Sequence, residues 1–584
     1  MAMESDAIQT QFSSHVKLGQ WLEAYPPIEY TEDEHSFEAA WPILLQPYAQ
    51  ICDEMCGKLS YGYEAGLVEL TDPDEAAKKI ESYRAWLQQE LDARIRVTPE
   101  EILQVCQELS ERSKGTYLSC LTYLAHSYRW GTVPVTRVAQ AFTTVFLPQQ
   151  IDKPMSYLNS HFGLSNSGSC WSIMLCNTLA LKEADPRIHQ PFKIRFSFNR
   201  TNQPDVLEAE TILCTIFTRL ELLAIPMYRA MLECIWAIKA GDLLLAGTKG
   251  WEVCDTSQDV FDCFANTICP EVLDLRYFMP YAQGPHGWDI DGNDGSSGVH
   301  ALCVIALDCF LDIARGSPLW EETQRHRRMK MTTDQQAFLN YLETENPCKL
   351  VRQLTALDDH SALVLQAISK TLIKLNNWRM QHRKAIMRYY HDRPERNPMT
   401  AGGGQMTYEK YGTKIETAND MICFFTGRLQ DRIVETRSTT DTLAQQCPAS
   451  AQRPADGLQL RRRSTSRSIS PSPSRFRAST SASSSPVLNK RQTFAFSKLR
   501  STSLSSGDVS LMLSTSDCLD SLPDSQQVPE SASQIPQLPF VHSPVRLTGI
   551  EPDPHSQSTI TNSKCFIILL ITFLLGLMFG KYIW

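Results

Sequence analysis

Leu365-Gln366-Ala367-Ile368-Ser369-Lys370-Thr371-Leu372-Ile373-Lys374-Leu375-Asn376-Asn377-Trp378-Arg379-Met380-Gln381-His382-Arg383-Lys384-Ala385-Ile386-Met387-Arg388-Tyr389 is the stretch that decides how this chain folds. Leu365, Ile368, Leu372, Leu375, Trp378, His382, Ile386 and Tyr389 follow one another at steps of three or four. That spacing draws one stripe down one face of a helix. Lys370, Lys374, Arg383, Lys384 and Arg388 fall mostly off the stripe, where they reach water. His382 therefore stands where the pattern calls for an apolar residue. Partial desolvation there favours neutral imidazole, the form that binds a metal. The plainer alternative is a core histidine bonded to a nearby carbonyl.

The same periodicity governs most of the sequence between Phe37 and Thr436. It predicts helices over Ala76–Leu91, Glu100–Ser110, Tyr117–Ser127, Trp171–Leu181, Leu207–Ala240, His300–Ile313 and Ala362–His391. Asp72-Pro73 and Thr98-Pro99 read as helix starts, with Glu75 and Glu100 in the first turns. Extended runs such as Phe192–Phe198 are short and isolated, so the expected class is all-α. At 584 residues the chain exceeds what one core normally fills, which implies two folded units plus unfolded sequence. Eighteen scattered cysteines lack zinc spacing, and no apolar leader opens the chain, which points to reduced thiols in the cytosol.

Composition changes after residue 436. Residues 437–564 are rich in Ser, Thr, Pro, Gln and Arg and read as a disordered linker. This stretch holds 14 Lys and Arg against 9 Asp and Glu, a net of +5, which leaves the rest of the chain at −14. Arg461 to Arg500 carries ten basic residues and no acidic one. Such a run is either a solubilising linker or a contact for anionic lipid head groups, tuned by phosphorylation near Ser470 and Ser472. Nucleic-acid binding is not expected, because no folded basic surface or aromatic platform accompanies the run. Cys565 through Gly580 has no charge and lies between Lys564 and Lys581. At about 1.5 Å per residue it reaches roughly 24 Å, which suits a thin bilayer. Residues 565–584 are thus expected to anchor the protein by its tail, with the body facing the cytosol from the endoplasmic reticulum or the mitochondrial outer membrane.

Trp378-Arg379-Met380-Gln381-His382 followed by Ile386-Met387-Arg388-Tyr389 resembles the proximal haem helix of the indoleamine 2,3-dioxygenase family. There an Arg-x-x-His run precedes an aliphatic residue, a basic residue and a Tyr. Arg327-Arg328 leading into Gln336-Ala337-Phe338-Leu339 is similar to the family's stretch after the substrate loop. Gly295-Ser296-Ser297-Gly298 looks like its small-residue loop at the haem edge, and Leu275-Arg276 with Gly287-Trp288 like its distal segment. The resemblance covers about residues 20–436 and is best from Arg276 to Arg437.

The resemblance implies a small helical domain over 21–185 after a flexible 1–20, and a large helical domain over 186–436 that holds haem b. It implies His382 as the iron ligand, with Ser296, Ser297 and Gly298 beside the cofactor. Arg276 would be the catalytic-site residue that receives the substrate carboxylate, since a guanidinium matches two carboxylate oxygens. Thr400–Gln405 and Gly412-Thr413 both resemble the family's mobile Gly-Thr loop, and Gly412 and Thr413 are the candidate substrate contacts. The implied reaction inserts both atoms of O2 across the C2–C3 bond of an indole, converting L-tryptophan or a related indoleamine to N-formylkynurenine. The body is read as a monomer.

Departures from the family set the alternatives. Glu271 and Val272 stand where aromatic residues are usual before the distal Arg. Glu208 and Glu210, with Val206, stand near a distal position usually filled by Ser or His. A carboxylate next to bound oxygen is unwelcome in an apolar pocket. Either the register is shifted by a turn or the pocket is remodelled. The second case would leave a non-catalytic haem sensor or a scaffold tethered to a membrane. Gly402-Gly403-Gly404 lacks the Lys-Ser/Thr of a phosphate loop, and Asp289, Asp291 and Asp294 lack the closing glutamate of a calcium loop.

Overall fold

Capped helices with close-packed apolar faces build the body of this protein, seen in a computed structural model. It describes residues 16–446 apart from short internal stretches, the longest being 32–39, 60–71, 284–297 and 390–416. The first helices run α1 Gln46–Leu59, α2 Pro73–Arg94, α3 Pro99–Glu108, α4 Glu111–Trp130, α5 Arg137–Ala141 and α6 Gln149–Phe162. Both expected starts form. Asp72 accepts from the amides of Asp74 and Glu75 at the head of α2. Thr98 closes a capping box at α3 with Glu101, and Glu100 stands in the first turn as expected.

The second half of the body begins with α7 Pro204–Lys239 and α8 Leu243–Thr267. It continues through α9 Leu302–Phe310, α10 Pro318–Lys330, α11 Thr333–Thr344 and α12 Pro347–Arg352 to α13 Asp359–Ile386 and α14 Ala418–Gln446. The chain divides into two units, Met1–Thr465 and Ser466–Trp584. The second unit, with the expected anchor 565–584 and the basic run, lies outside the described residues, as does most of the expected linker. Helix α14 itself runs on to Gln446, past the boundary expected at 436. One apolar core reaches from Leu18 to Met421.

One expected helix divides. Over Trp171–Leu181 the chain makes a wide turn at Cys170–Met174, a tight turn at Leu175–Asn177, and a strand at Thr178–Leu181. That strand pairs in parallel with Glu29–Thr31 and antiparallel with Phe192–Ile194. Its parallel partner comes from a distant part of the chain, of which local spacing carries no sign, while its antiparallel partner falls in the extended run at Phe192–Phe198.

Helix α7 is long and apolar enough to cross a membrane by length and composition, with mean hydropathy 1.4, yet 78% of that window is buried inside the protein. It is a core helix. α7 packs along α8, α8 along α13, and α13 along α14. The α8–α13 approach depends on glycine: a Cβ at Gly247 would stand 2.6 Å from Leu363, and one at Gly250 would stand 3.0 Å from the Ala367 Cβ.

Candidate functional site

The face of α13 that carries the stripe turns toward a partly open, mostly apolar cavity of about 170 Å3, which α7, α8, α9, α10 and α14 also line. Leu365, Ile368, Leu372, Leu375 and Trp378 are buried, as their spacing requires. Trp378, Arg379, His382 and Ile386, the last turns of that face, line the cavity. Helix α7 contributes Leu213, Phe217 and Leu220 at steps of four and three, and α8 contributes Phe261 and Phe264.

His382 meets this cavity edge-on to Phe264, with ring centroids 4.8 Å apart, and tilted against Trp378 at 5.5 Å. Its imidazole makes no hydrogen bond among the described residues. Burial, and then the nearby Arg379 guanidinium, lower its pKa from 6.5 to about 4. The ring is therefore neutral at pH 7, with an available lone pair. The alternative of a core histidine bonded to a carbonyl does not describe it.

One turn before His382, Arg379 is 2% exposed and donates to Asp308 at 2.5 Å and to Thr436. Asp308 is the sole charge in α9 and is itself buried. It also receives Arg432 of α14 at 3.4 Å, while the second arm of Arg432 reaches Thr323. Arg428, a turn earlier on α14, faces the same cavity. His326 of α10 lines it too, edge-on to His300 at 4.7 Å and accepting from Arg325 at 3.1 Å. Neither the α14 arginines nor His326 was among the sequence candidates. A lone acid inside an otherwise apolar run was the one available sign for Asp308.

Among the sequence candidates, the structure brings together His382 and Gly298, which lines the cavity and where a Cβ would stand 3.6 Å from the Phe217 ring. It does not bring Arg276 there. Arg276 is 72% exposed in its side chain and forks Asp274, at 2.7 Å for the closest pair. Asp274 caps the short turn at Leu275–Tyr277 and sits two residues away, so it takes the guanidinium locally. Ser296, Ser297, Gly412, Thr413 and the Thr400–Gln405 run lie outside the described residues.

The suspected distal carboxylates are also elsewhere. Glu208 is exposed. Glu210 is fully buried, accepting from Ser197, Asn199 and the Phe198 amide, and it fixes the 197–199 turn. The cavity face of α7 begins a turn later, at Leu213. An aromatic ring missing before Arg276 is present after it, as Phe278, which packs edge-on to Tyr389 at 4.7 Å.

Among the described residues no group of three or more His, Cys, Asp or Glu side chains is placed to hold a bare metal ion. A metal that brings its own macrocycle needs a single protein ligand, and the His382 imidazole among aromatic walls could supply it, with His326 and guanidiniums at another edge. An engineered apolar cavity of about 150 Å3 takes benzene. The present volume of about 170 Å3 is thus on the scale of one small aromatic ring, and a porphyrin plane would need the walls to part. Against known proteins, no family model matches the chain and no curated protein matches it.

Proposed function

We propose that this chain is a haem-dependent dioxygenase of the indoleamine type, inserting O2 across the indole C2–C3 bond of L-tryptophan or a related indoleamine to give N-formylkynurenine. The observation that carries this reading is His382, a neutral imidazole without a hydrogen-bond partner among the described residues, facing a mostly apolar cavity. His382 would hold haem b through one ring nitrogen. Haem bound there would supply the iron that activates dioxygen.

The remaining work belongs to the chain's own side chains. Phe217, Phe264 and Phe278 line the cavity and would shed water where a ligand covers them. Their rings offer an indole edge-to-face and offset contacts, which orient it by contact rather than by charge. Gly298, with no side chain, lets a planar ligand approach the backbone at the mouth. In the same proposal residues 565–584 tether the protein and Arg461–Arg500 contacts anionic head groups, with the body on the cytosolic side.

A second reading, a haem sensor that binds gas without turnover, is favoured by Arg276 pairing with Asp274 away from the cavity. Turnover separates the two. Full-length protein in detergent, loaded with haem and kept reduced, is expected to form N-formylkynurenine from L-tryptophan, and His382→Ala is expected to form none. Haem-loaded wild type that yields no formylated product from L-tryptophan, 5-hydroxytryptophan or tryptamine would leave the sensor reading standing.

A further inference from the structure

Behind Phe217 and Ala301, which line the larger cavity, lies a second and largely enclosed chamber of about 10 Å3. Its lining is polar where that of the first is apolar. Tyr25 of the N-terminal segment, Glu221 of α7, His300 before α9, Lys330 of α10 and Gln335 of α11 meet there. Glu221 and Lys330 are both buried. One oxygen of Glu221 accepts from the Tyr25 hydroxyl at 3.0 Å and from the Tyr228 hydroxyl at 2.5 Å, and the other accepts from the Cys303 amide at 3.2 Å. Accepting through both oxygens is the role of a carboxylate. Burial pushes the Glu221 pKa up, and these three bonds pull it back only in part. Lys330 donates to the Gly168 carbonyl at 2.9 Å, which takes one of the three N–H groups of its ammonium. Gln335 joins the cluster by donating to the Tyr25 hydroxyl at 3.2 Å.

A buried charge is costly unless an opposite charge and further hydrogen bonds answer it. Here a buried acid and a buried lysine line one chamber, and the chamber is about as large as a single water requires. A water also needs two to four polar partners, which this lining supplies. We propose that the chamber binds one ordered water, which accepts from the Lys330 ammonium and donates to the Glu221 carboxylate, closing a solvent-bridged ion pair. The bridge ties α10 to α7 directly behind the wall of the larger cavity. Through Tyr25 and Gln335 it also draws in the N-terminal segment and α11. The inference does not depend on what fills the larger cavity.

A crystal structure of the full-length protein in detergent, at a resolution that shows waters, tests the site. It is expected to hold a single water within hydrogen-bond reach of Lys330 Nζ and of a Glu221 oxygen. An empty chamber, an ion in place of the water, or Lys330 lying directly on Glu221 would each overturn the proposal. The pairing of the charges is tested in solution by a double-variant cycle on the same protein. Glu221→Gln and Lys330→Met are each expected to lower the urea midpoint, because each leaves the other group's charge alone in the core. The double variant is expected to lose less than the two single losses together. Losses that simply add would refute the ion pair. Lys330→Gln replaces Lys330→Met in the cycle if the methionine variant does not fold, with the same two outcomes.

Discussion

At the scale of single residues, His382 combines two properties that pull on its proton in the same direction. Apolar walls penalise the charged ring, and Arg379 repels it. The unfolded chain carries this histidine near its ordinary 6.5, whereas the folded protein holds it near 4. Between those values the unfolded state binds a proton that the folded state does not. The stabilising contribution of the neutral ring is complete above pH 6.5 and is lost as pH falls toward about 4. A shift of this size corresponds to roughly 3 kcal/mol. Urea midpoints at pH 7.5 and 4.5 should fall further for wild type than for His382→Leu, in which this proton is absent. Equal falls would mean that the imidazole is solvated. The stripe made His382 legible in the sequence because its neighbours at three and four residues are large and apolar. Arg276 lies away from the cavity for a physical reason. A resemblance aligns residue types, and it does not weigh a carboxylate two residues away that can take the guanidinium first.

Among the elements, the contact between α8 and α13 sets how close the cavity walls come. At Gly247 a Cβ would stand 2.6 Å from Leu363 Cδ2 and 2.7 Å from its Cγ, so the leucine would have to turn or the helices part. Alanine favours helix over glycine by about 1 kcal/mol, and overpacking costs about 1–3 kcal/mol. Gly247→Ala is expected to lower stability by roughly 1 kcal/mol net. Gly57→Ala on α1, where nothing lies within 4 Å, should raise stability by up to about 1 kcal/mol. Chemical denaturation of the two variants checks both signs, and a stabilised Gly247→Ala would deny the close approach. Helices were readable where a cap and a long apolar period coincide, as at Asp72 and Thr98. The strand at Thr178–Leu181 was not, since its own residues also fit helical spacing and its partners lie at 29–31 and 192–194.

For the whole molecule, the long helix α7 shows how composition alone can mislead. It is apolar enough for a bilayer, but the core from Leu18 to Met421 has already buried it. The helical class was legible from periodicity. The cavity was not, because it is lined from six helices, α7, α8, α9, α10, α13 and α14, whose meeting depends on the fold. Phe217 from α7, Phe264 from α8, Asp308 from α9 and Arg428 from α14 belong to no common motif. The account makes that cavity a haem site with a single protein ligand, and absorption during haem titration of the full-length protein tests it most directly. Wild type should give a sharp Soret band that saturates at equimolar haem. His382→Ala should lose both the band shape and the affinity, and added imidazole should restore them. A His382→Ala protein that binds haem with the wild-type spectrum and affinity would contradict the account.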